Sequence, residues 1–189
     1  GGIRPGSVVN VYSHTGVGKS ALMLRTLRKN AAIALQQDKI LVIGSPEQDP
    51  SLMAGLNVQS LAKMPFCDLF HAASNGGLNG AVQSWFKQYQ DHIVFIDTSY
   101  FNADDFDKYL DDIERKIGKK SAIFFLDGII FIEAGKFEKA ENISRKLMRV
   151  CRKRKTTGYF NYHFNKQHVK DNSGHKLENF REFEGDVLD

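Results

Sequence analysis

A glycine-rich segment near the start of the chain constrains the fold more than any other feature. Residues 13–20 read SHTGVGKS and come directly after an apolar run at residues 8–12. From Ser20 onwards, apolar residues recur every three or four positions, which predicts one face of a helix. A turn of this composition between a strand and a helix is typical of a phosphate-binding loop, because it directs backbone N–H groups to the helix N-terminus.

Each residue type in this loop has a chemical reason to be there. Gly16 and Gly18 allow the backbone to approach a phosphate where a Cβ atom would collide. Lys19 provides a cation for the β- and γ-phosphates of a nucleoside triphosphate, and the hydroxyl of Ser20 is a ligand for Mg²⁺. We therefore expect ATP and Mg²⁺ to bind here. The residues expected to contact the nucleotide are Ser13, His14, Thr15, Gly16, Val17, Gly18, Lys19, Ser20 and Ala21.

Short apolar runs alternate with helical patterns along the rest of the chain. The runs predict strands at residues 8–12, 40–44, 93–97, 122–127 and 158–162. Helical stripes follow Ser20, span residues 106–117 and recur at 143–150. Nearly continuous apolar strands are typical of a parallel sheet that is covered on both faces. We therefore predict an α/β fold, a mostly parallel twisted sheet with helices on both faces. Residues 72–80, rich in Asn and Gly, are predicted to form a loop.

Polar residues follow three of the predicted strands. Asp127 closes the run at residues 122–127, and it is the candidate Mg²⁺ ligand because a second ligand must come from a neighbouring strand end. Glu47 follows the second strand and is the candidate base for the attacking water. His163 follows the last strand, from where it can touch the γ-phosphate. Taken alone, each has a structural alternative: a turn residue before Gly128, a plain loop carboxylate and a structural histidine.

The net charge of +4 is unevenly distributed along the 189 residues. Residues 134–176, the basic region, hold twelve Lys/Arg against three Asp/Glu, a local balance of +9, and the remainder has a balance of −5. An anionic partner such as nucleic acid is one explanation of this asymmetry. A solvated basic helix is the other.

The composition fits one globular domain, with 42% hydrophobic and 25% charged residues. No apolar run could span a bilayer and no signal peptide is evident, so we expect an intracellular, cytoplasmic protein with no membrane partner. Cys67 and Cys151 are too few for a disulfide framework and are expected to be small buried side chains. We expect one ATPase domain, residues 1–189, that is the core of a longer protein.

Six segments together resemble the ATPase domain of hexameric replicative DNA helicases, the DnaB-like group that includes phage primase–helicases. Beyond the phosphate loop no single segment is specific, and the resemblance rests on their order and spacing. The segments are residues 2–7 (entry turn), 43–47 (strand and catalytic glutamate), 125–127 (magnesium-associated aspartate), 143–147 (the following helix), 162–166 (sensor motif) and 177–182 (Asp-Leu-Arg-like). Ser13, Pro46 and Gly128 depart from the family pattern.

The resemblance implies a RecA-like phosphate-loop core that works in a homo-oligomeric ring, a hexamer, and moves along single-stranded DNA. The site residues that it implies are Lys19, Glu47 and His163 for catalysis, Ser20 and Asp127 for Mg²⁺, and Arg181 near the nucleotide or in a surface ion pair. The loops expected to grip DNA are residues 134–142 and 166–176. The family's arginine finger lies beyond the Arg181 segment, so slow hydrolysis is expected of this chain alone.

Two other classes of function fit the same residues. An ATP-binding regulator or loader would use the fold as a switch and hydrolyse little ATP. A RecA- or KaiC-type recombination or signalling ATPase shares the fold and a base like Glu47. An increase of ATP hydrolysis on addition of single-stranded DNA would favour the helicase motor over the regulator.

Overall fold

Five parallel strands form the centre of the molecule. The computed structural model describes residues 3–13, 16–75, 77, 80–99, 101–129 and 140–163. Within them the strands lie in the order β1-β5-β4-β2-β3, and every pair of neighbours is parallel. The strands are β1 (Val8–Ser13), β2 (Ile40–Ser45), β3 (Ile93–Asp97), β4 (Ser121–Asp127) and β5 (Thr157–His163). All five predicted strands are present, and the α/β prediction is confirmed.

Helices pack on both faces of this sheet. Those in the described residues are α1 (Lys19–Gln36), α2 (Pro50–Ala62), α3 (Phe66–Ser74), α4 (Gly80–Tyr89), α5 (Phe106–Ile117) and α6 (Ala140–Arg154), with 3₁₀ turns at Gln90–His92 and Ala103–Asp105. Because strand side chains alternate between faces, Leu41 and Phe125 pack with Met23 of α1. Val42 and Phe124 pack on the opposite face, in the cluster that contains residues of α5 and α6. None of the helices in the described ranges has the length and apolarity needed to cross a membrane.

Three helices between β2 and β3 did not stand out in the sequence. The loop predicted at residues 72–80 is wrong at both ends, because α3 continues to Ser74 and α4 begins at Gly80. A signal for α2 was present: Asp49 accepts a hydrogen bond from the Ser51 amide at 2.7 Å, and Pro50 occupies the first helical turn. An Asp-Pro pair is a typical helix start, since the carboxylate satisfies an N–H group and proline needs none.

The two cysteines differ in their surroundings. Cys151 is fully buried beneath the sheet, as expected, and this burial raises the pKa of its thiol to about 12. Cys67 is exposed on α3, so the expectation that both are buried is wrong for Cys67. Because Phe66–Ser74 was not predicted to be a helix, the side of the helix on which this thiol lies was not predicted either.

Carboxylates of α5 neutralise part of the basic region. Arg154, at the end of α6, donates to Asp107, Asp111 and Glu114, each at 2.7 Å. Lys153 also pairs with Asp107, at 2.6 Å. The local balance of +9 therefore overstates the positive charge that α6 presents to solvent. These ion pairs join α6 to α5.

Replacing Arg154 with methionine is expected to destabilise the fold by about 3 kcal/mol, since it leaves the buried Glu114 with fewer partners. Hydrogen bonds from Lys153 and Arg154 hold the pKa of Asp107 below its ordinary value of 3.8, and the bond from Arg154 lowers the pKa of Asp111. Carboxylates with lowered pKa values stabilise the fold above the unfolded pKa, and this contribution is lost as the pH falls through the folded value.

Urea unfolding at pH 7 and at pH 3 measures both effects of the Arg154 substitution. The variant should lose less stability than wild type between these two pH values. Arg115→Met is the matched control, because the Arg115–Asp112 pair is exposed and should contribute less than about 1 kcal/mol. Equal losses in the two variants would show that the Arg154 cluster does not stabilise the contact between α5 and α6.

Candidate nucleotide site

The predicted phosphate loop connects β1 to α1, and both of its glycines have left-handed backbone conformations. Gly16 has a φ of +86° and Gly18 a φ of +90°, a region that other L residues rarely adopt. Apart from neighbouring residues of the chain, no described atom lies within 4 Å of the position that a Cβ would take at either glycine. Gly18 is also the N-cap of α1, so no side chain of its own covers the first N–H groups of the helix. This geometry is what an anion at a helix N-terminus requires.

Lys19 is the first residue of α1, and its side chain is only slightly exposed. Its Nζ donates a hydrogen bond to the carbonyl oxygen of Ser13 at 2.8 Å, which folds the side chain back across the loop. Burial lowers the pKa of the ammonium, and the negative charges of Asp127 and Glu47 oppose this shift. The two predicted acids therefore lie within electrostatic range of the predicted phosphate-binding lysine.

Asp127 is held at the end of β4 by two neighbours. Asp127 is 4% exposed, and Nδ2 of Asn161 donates a hydrogen bond to Oδ1 of Asp127 at 2.9 Å. Asn161 is the partner of Asp127 in the register between β4 and β5. The hydroxyl of Ser45 donates to the Asp127 carbonyl at 3.1 Å. The position of this carboxylate is thus determined by strands on both sides of β4.

Glu47 lies in the bend after β2 and is exposed to solvent. Its backbone N–H donates to Oγ of Ser45 at 3.2 Å. Ser45 is buried and therefore links the bend that carries Glu47 to the strand end that carries Asp127. Neither Ser45 nor Asn161 was identified as a site residue from the sequence. For Asn161 the available signal was a polar residue within an apolar strand, and for Ser45 it was a polar residue at the end of one.

The site also offers two of the ligands that Mg²⁺ prefers. Ser20 is partly buried in the first turn of α1, and with Ala21 it lines a cleft of about 460 Å³ between α1 and α2. Within the described ranges no group of three or more His, Cys, Asp or Glu side chains could hold a metal ion. Mg²⁺ bound with a nucleotide takes one or two protein ligands and uses phosphate oxygens and water for the rest. One hydroxyl and one carboxylate therefore fit this ion.

Some predicted site residues are described only in part or not at all. His163 ends β5 and pairs in register with Ser13, which places its backbone beside the phosphate loop, but its side chain lies outside the described part of the structure. His14, Thr15 and Arg181 also lie outside the described residues, as do residues 166–176 and most of 134–142. The structure brings Ser13, Lys19, Asp127 and Glu47 together at one edge of the sheet.

Comparison of the sequence with protein-family models and with curated proteins gives no match. Comparison with solved structures does. A DnaB-like replicative helicase, studied for its interactions with primase, matches with a TM-score of 0.70 and 15% identity, over 89% of this chain and 41% of that one. An ATPase domain matches with a TM-score of 0.70 and 16% identity, over 89% of this chain and 61% of that one.

The chain spans less than two thirds of the length of either structure. At these identities the likeness is one of fold, and it covers most of the chain. The resemblance found in the sequence is thereby confirmed for the fold: the chain shares its fold with a DnaB-like replicative helicase and with an ATPase domain, and the predicted phosphate loop lies between β1 and α1.

Proposed function

We propose that the chain is the ATP-hydrolysing motor domain of a replicative-type DNA helicase that moves along single-stranded DNA. The observation that carries the proposal is the meeting of Lys19, Asp127 and Glu47 at the carboxyl edge of a parallel sheet. Open α/β sheets bind their ligands at this edge. The fold shared with a DnaB-like replicative helicase and with an ATPase domain supports the same assignment.

Each residue has a distinct task in hydrolysis. Lys19 exchanges the Ser13 carbonyl for phosphate oxygens, and the ammonium balances the charge that develops on them. Ser20 and Asp127 would hold Mg²⁺, which neutralises phosphate charge when it is bound. Glu47 accepts a proton from the attacking water, and its exposed position in the bend leaves it accessible to that water. His163 is assigned to the γ-phosphate contact.

The distribution of positive charge supports a nucleic-acid partner. Arg145, Arg149 and Arg152 lie on an exposed stripe of α6. These three are spaced four and three residues apart, so they share one helix face. Phosphates along a single strand are attracted to such a stripe by charge alone.

A ring and an intracellular, cytoplasmic setting complete the proposal. In a homo-oligomeric ring, here a hexamer, a neighbouring subunit would supply an arginine to the γ-phosphate, a contribution worth roughly 10³–10⁵ in rate in other phosphate-loop enzymes. The loops at residues 134–142 and 166–176 are assigned to the DNA, and Arg181 to the nucleotide. The alternative, a regulator with weak hydrolysis, predicts neither motion nor stimulation by DNA.

Reversing the charge of Lys166 and Lys170 together is expected to weaken binding of single-stranded DNA. If both lysines contact phosphates, the slope of log affinity against log salt should become shallower by about 1.4, because each contact releases roughly 0.7 counterion. Fluorescence anisotropy of a labelled oligothymidine over a series of salt concentrations measures this slope.

The matched control for this variant is Lys29→Glu with Lys87→Glu. Both lysines are exposed, and both lie outside the basic region, on α1 and α4. The control changes the net charge by the same amount, so a non-specific charge effect would weaken both variants equally. Equal weakening of DNA binding in the two variants would show that residues 166–176 do not contact DNA.

A further inference from the structure

The side-chain amide of Asn161 is buried and has no role in the proposed mechanism. Asn161 is completely inaccessible to solvent in β5, between Val11 of β1 and Asp127 of β4. Its neighbours along the strand, Phe160 and Tyr162, belong to the hydrophobic core. A polar side chain at such a position lowers the stability of the fold unless its hydrogen bonds are satisfied.

Of the two polar atoms of this amide, the nitrogen has a hydrogen-bond partner among the described residues and the oxygen does not. Nδ2 donates to Oδ1 of Asp127 at 2.9 Å and lies 3.6 Å from the sulfur of Met23. Oδ1 has no hydrogen-bond donor among the described residues. Rotating the amide by half a turn would place its oxygen against the Asp127 carboxylate, so the bond to Asp127 determines its orientation. An apolar side chain would fill this space without leaving a buried acceptor unpaired.

We propose that Asn161 is a positioning residue that orients the Asp127 carboxylate for the metal of the bound nucleotide. By holding Oδ1, the amide restricts rotation of the carboxyl group and leaves Oδ2 as the oxygen for Mg²⁺. Hydrogen bonds of this kind to metal ligands commonly change metal affinity by about 10–100-fold. The inference rests on the proposed role of Asp127 as a magnesium ligand.

The test compares nucleotide binding with and without the metal. Calorimetry would give the affinity of the protein for a non-hydrolysable ATP analogue in EDTA and in saturating Mg²⁺. In the Asn161→Leu variant the gain in affinity on adding Mg²⁺ should fall by about 10-fold, while the affinity in EDTA stays within about twofold of wild type. A purely structural role would change both affinities together.

Asn57→Leu is the matched control. Asn57 is also completely buried, and its Oδ1 accepts a hydrogen bond from Arg28 at 2.9 Å, within the contact between α1 and α2. Its loss should lower thermal stability and leave the Mg²⁺-dependent gain unchanged. If Asn161→Leu does not fold, Asn161→Ser, which removes the amide without placing methyl groups beside the carboxylate, takes its place.

Asp127→Asn separates this inference from the proposed function. If Asp127→Asn loses the Mg²⁺-dependent gain and the folded Asn161 variant keeps it in full, Asn161 does not position the carboxylate and Asp127 remains the metal ligand. If Asp127→Asn also keeps the gain, the proposed metal site itself is wrong. Loss of the gain in both variants, with Asn57→Leu unaffected, is the result that we expect.

Discussion

Replacing Lys19 with alanine is expected to abolish measurable ATP hydrolysis while the protein remains folded. Burial already lowers the pKa of this ammonium group, and Nζ donates a hydrogen bond to the loop carbonyl of Ser13. If ATP binds at this loop as proposed, the substitution removes a cation from beside its phosphates. The rate should fall by at least about 10²–10³-fold, the usual effect of removing a single group that stabilises transition-state charge.

Release of phosphate from ATP measures the effect of the Lys19 substitution, and circular dichroism measures the fold. Lys29→Ala is the control, since this lysine lies on the same helix and is exposed. It should hydrolyse ATP at the rate of wild type. A Lys19→Ala protein that is folded and retains its activity would exclude the loop between β1 and α1 as the catalytic phosphate site.

Replacing Glu47 with glutamine is expected to slow ATP hydrolysis by roughly 10²-fold or more and to leave nucleotide binding intact. Glutamine preserves the shape of the side chain but cannot accept a proton from water. The bend itself should persist, because Ser45 holds the backbone N–H of residue 47 rather than its carboxylate. Affinity for a non-hydrolysable analogue and the rate of a single turnover give the two quantities separately.

Asp97→Asn is a matched control for the Glu47 substitution. Asp97 is an exposed acid at the end of β3, and it pairs in register with Ser45 of β2. Its carboxylate accepts hydrogen bonds from Ser99, which hold its pKa below the ordinary value. A general effect of acids at this edge would slow both variants. Unchanged hydrolysis by Glu47→Gln would show that Glu47 is a loop carboxylate without a catalytic role.

The sheet and the loop could be predicted because their signals are local. An apolar run that ends in Asp127 predicts a buried strand with a polar residue at its end. Gly16 and Gly18 indicate a turn that needs positive φ angles. The alternation of strands and helices then leaves few topologies, since crossovers between parallel strands are right-handed. These features depend on neighbours in the sequence, not on contacts between distant residues.

The features that could not be predicted depend on contacts across the fold. Arg154 meets the acids of α5 only after the sheet has brought α5 and α6 together, so the charge count assigned it to a basic surface. Asn161 likewise gains its partner from the register between β4 and β5. The helix Pro50–Ala62 lacks a single apolar face, and for it the Asp49–Pro50 start was the usable signal. The helices Phe66–Ser74 and Gly80–Tyr89 do carry apolar residues at helical spacing, such as Val82, Trp85 and Tyr89, so they could have been predicted and were missed.

The rate of ATP hydrolysis by the full-length protein, measured with and without single-stranded DNA, tests the proposed function most directly. A helicase motor couples its DNA contacts to the γ-phosphate, so each ligand must affect the action of the other. We expect Mg²⁺-dependent hydrolysis that rises several-fold when single-stranded DNA is added and that depends on Lys19 and Glu47. Slow hydrolysis that DNA does not change would contradict the motor and would favour an ATP-binding regulator.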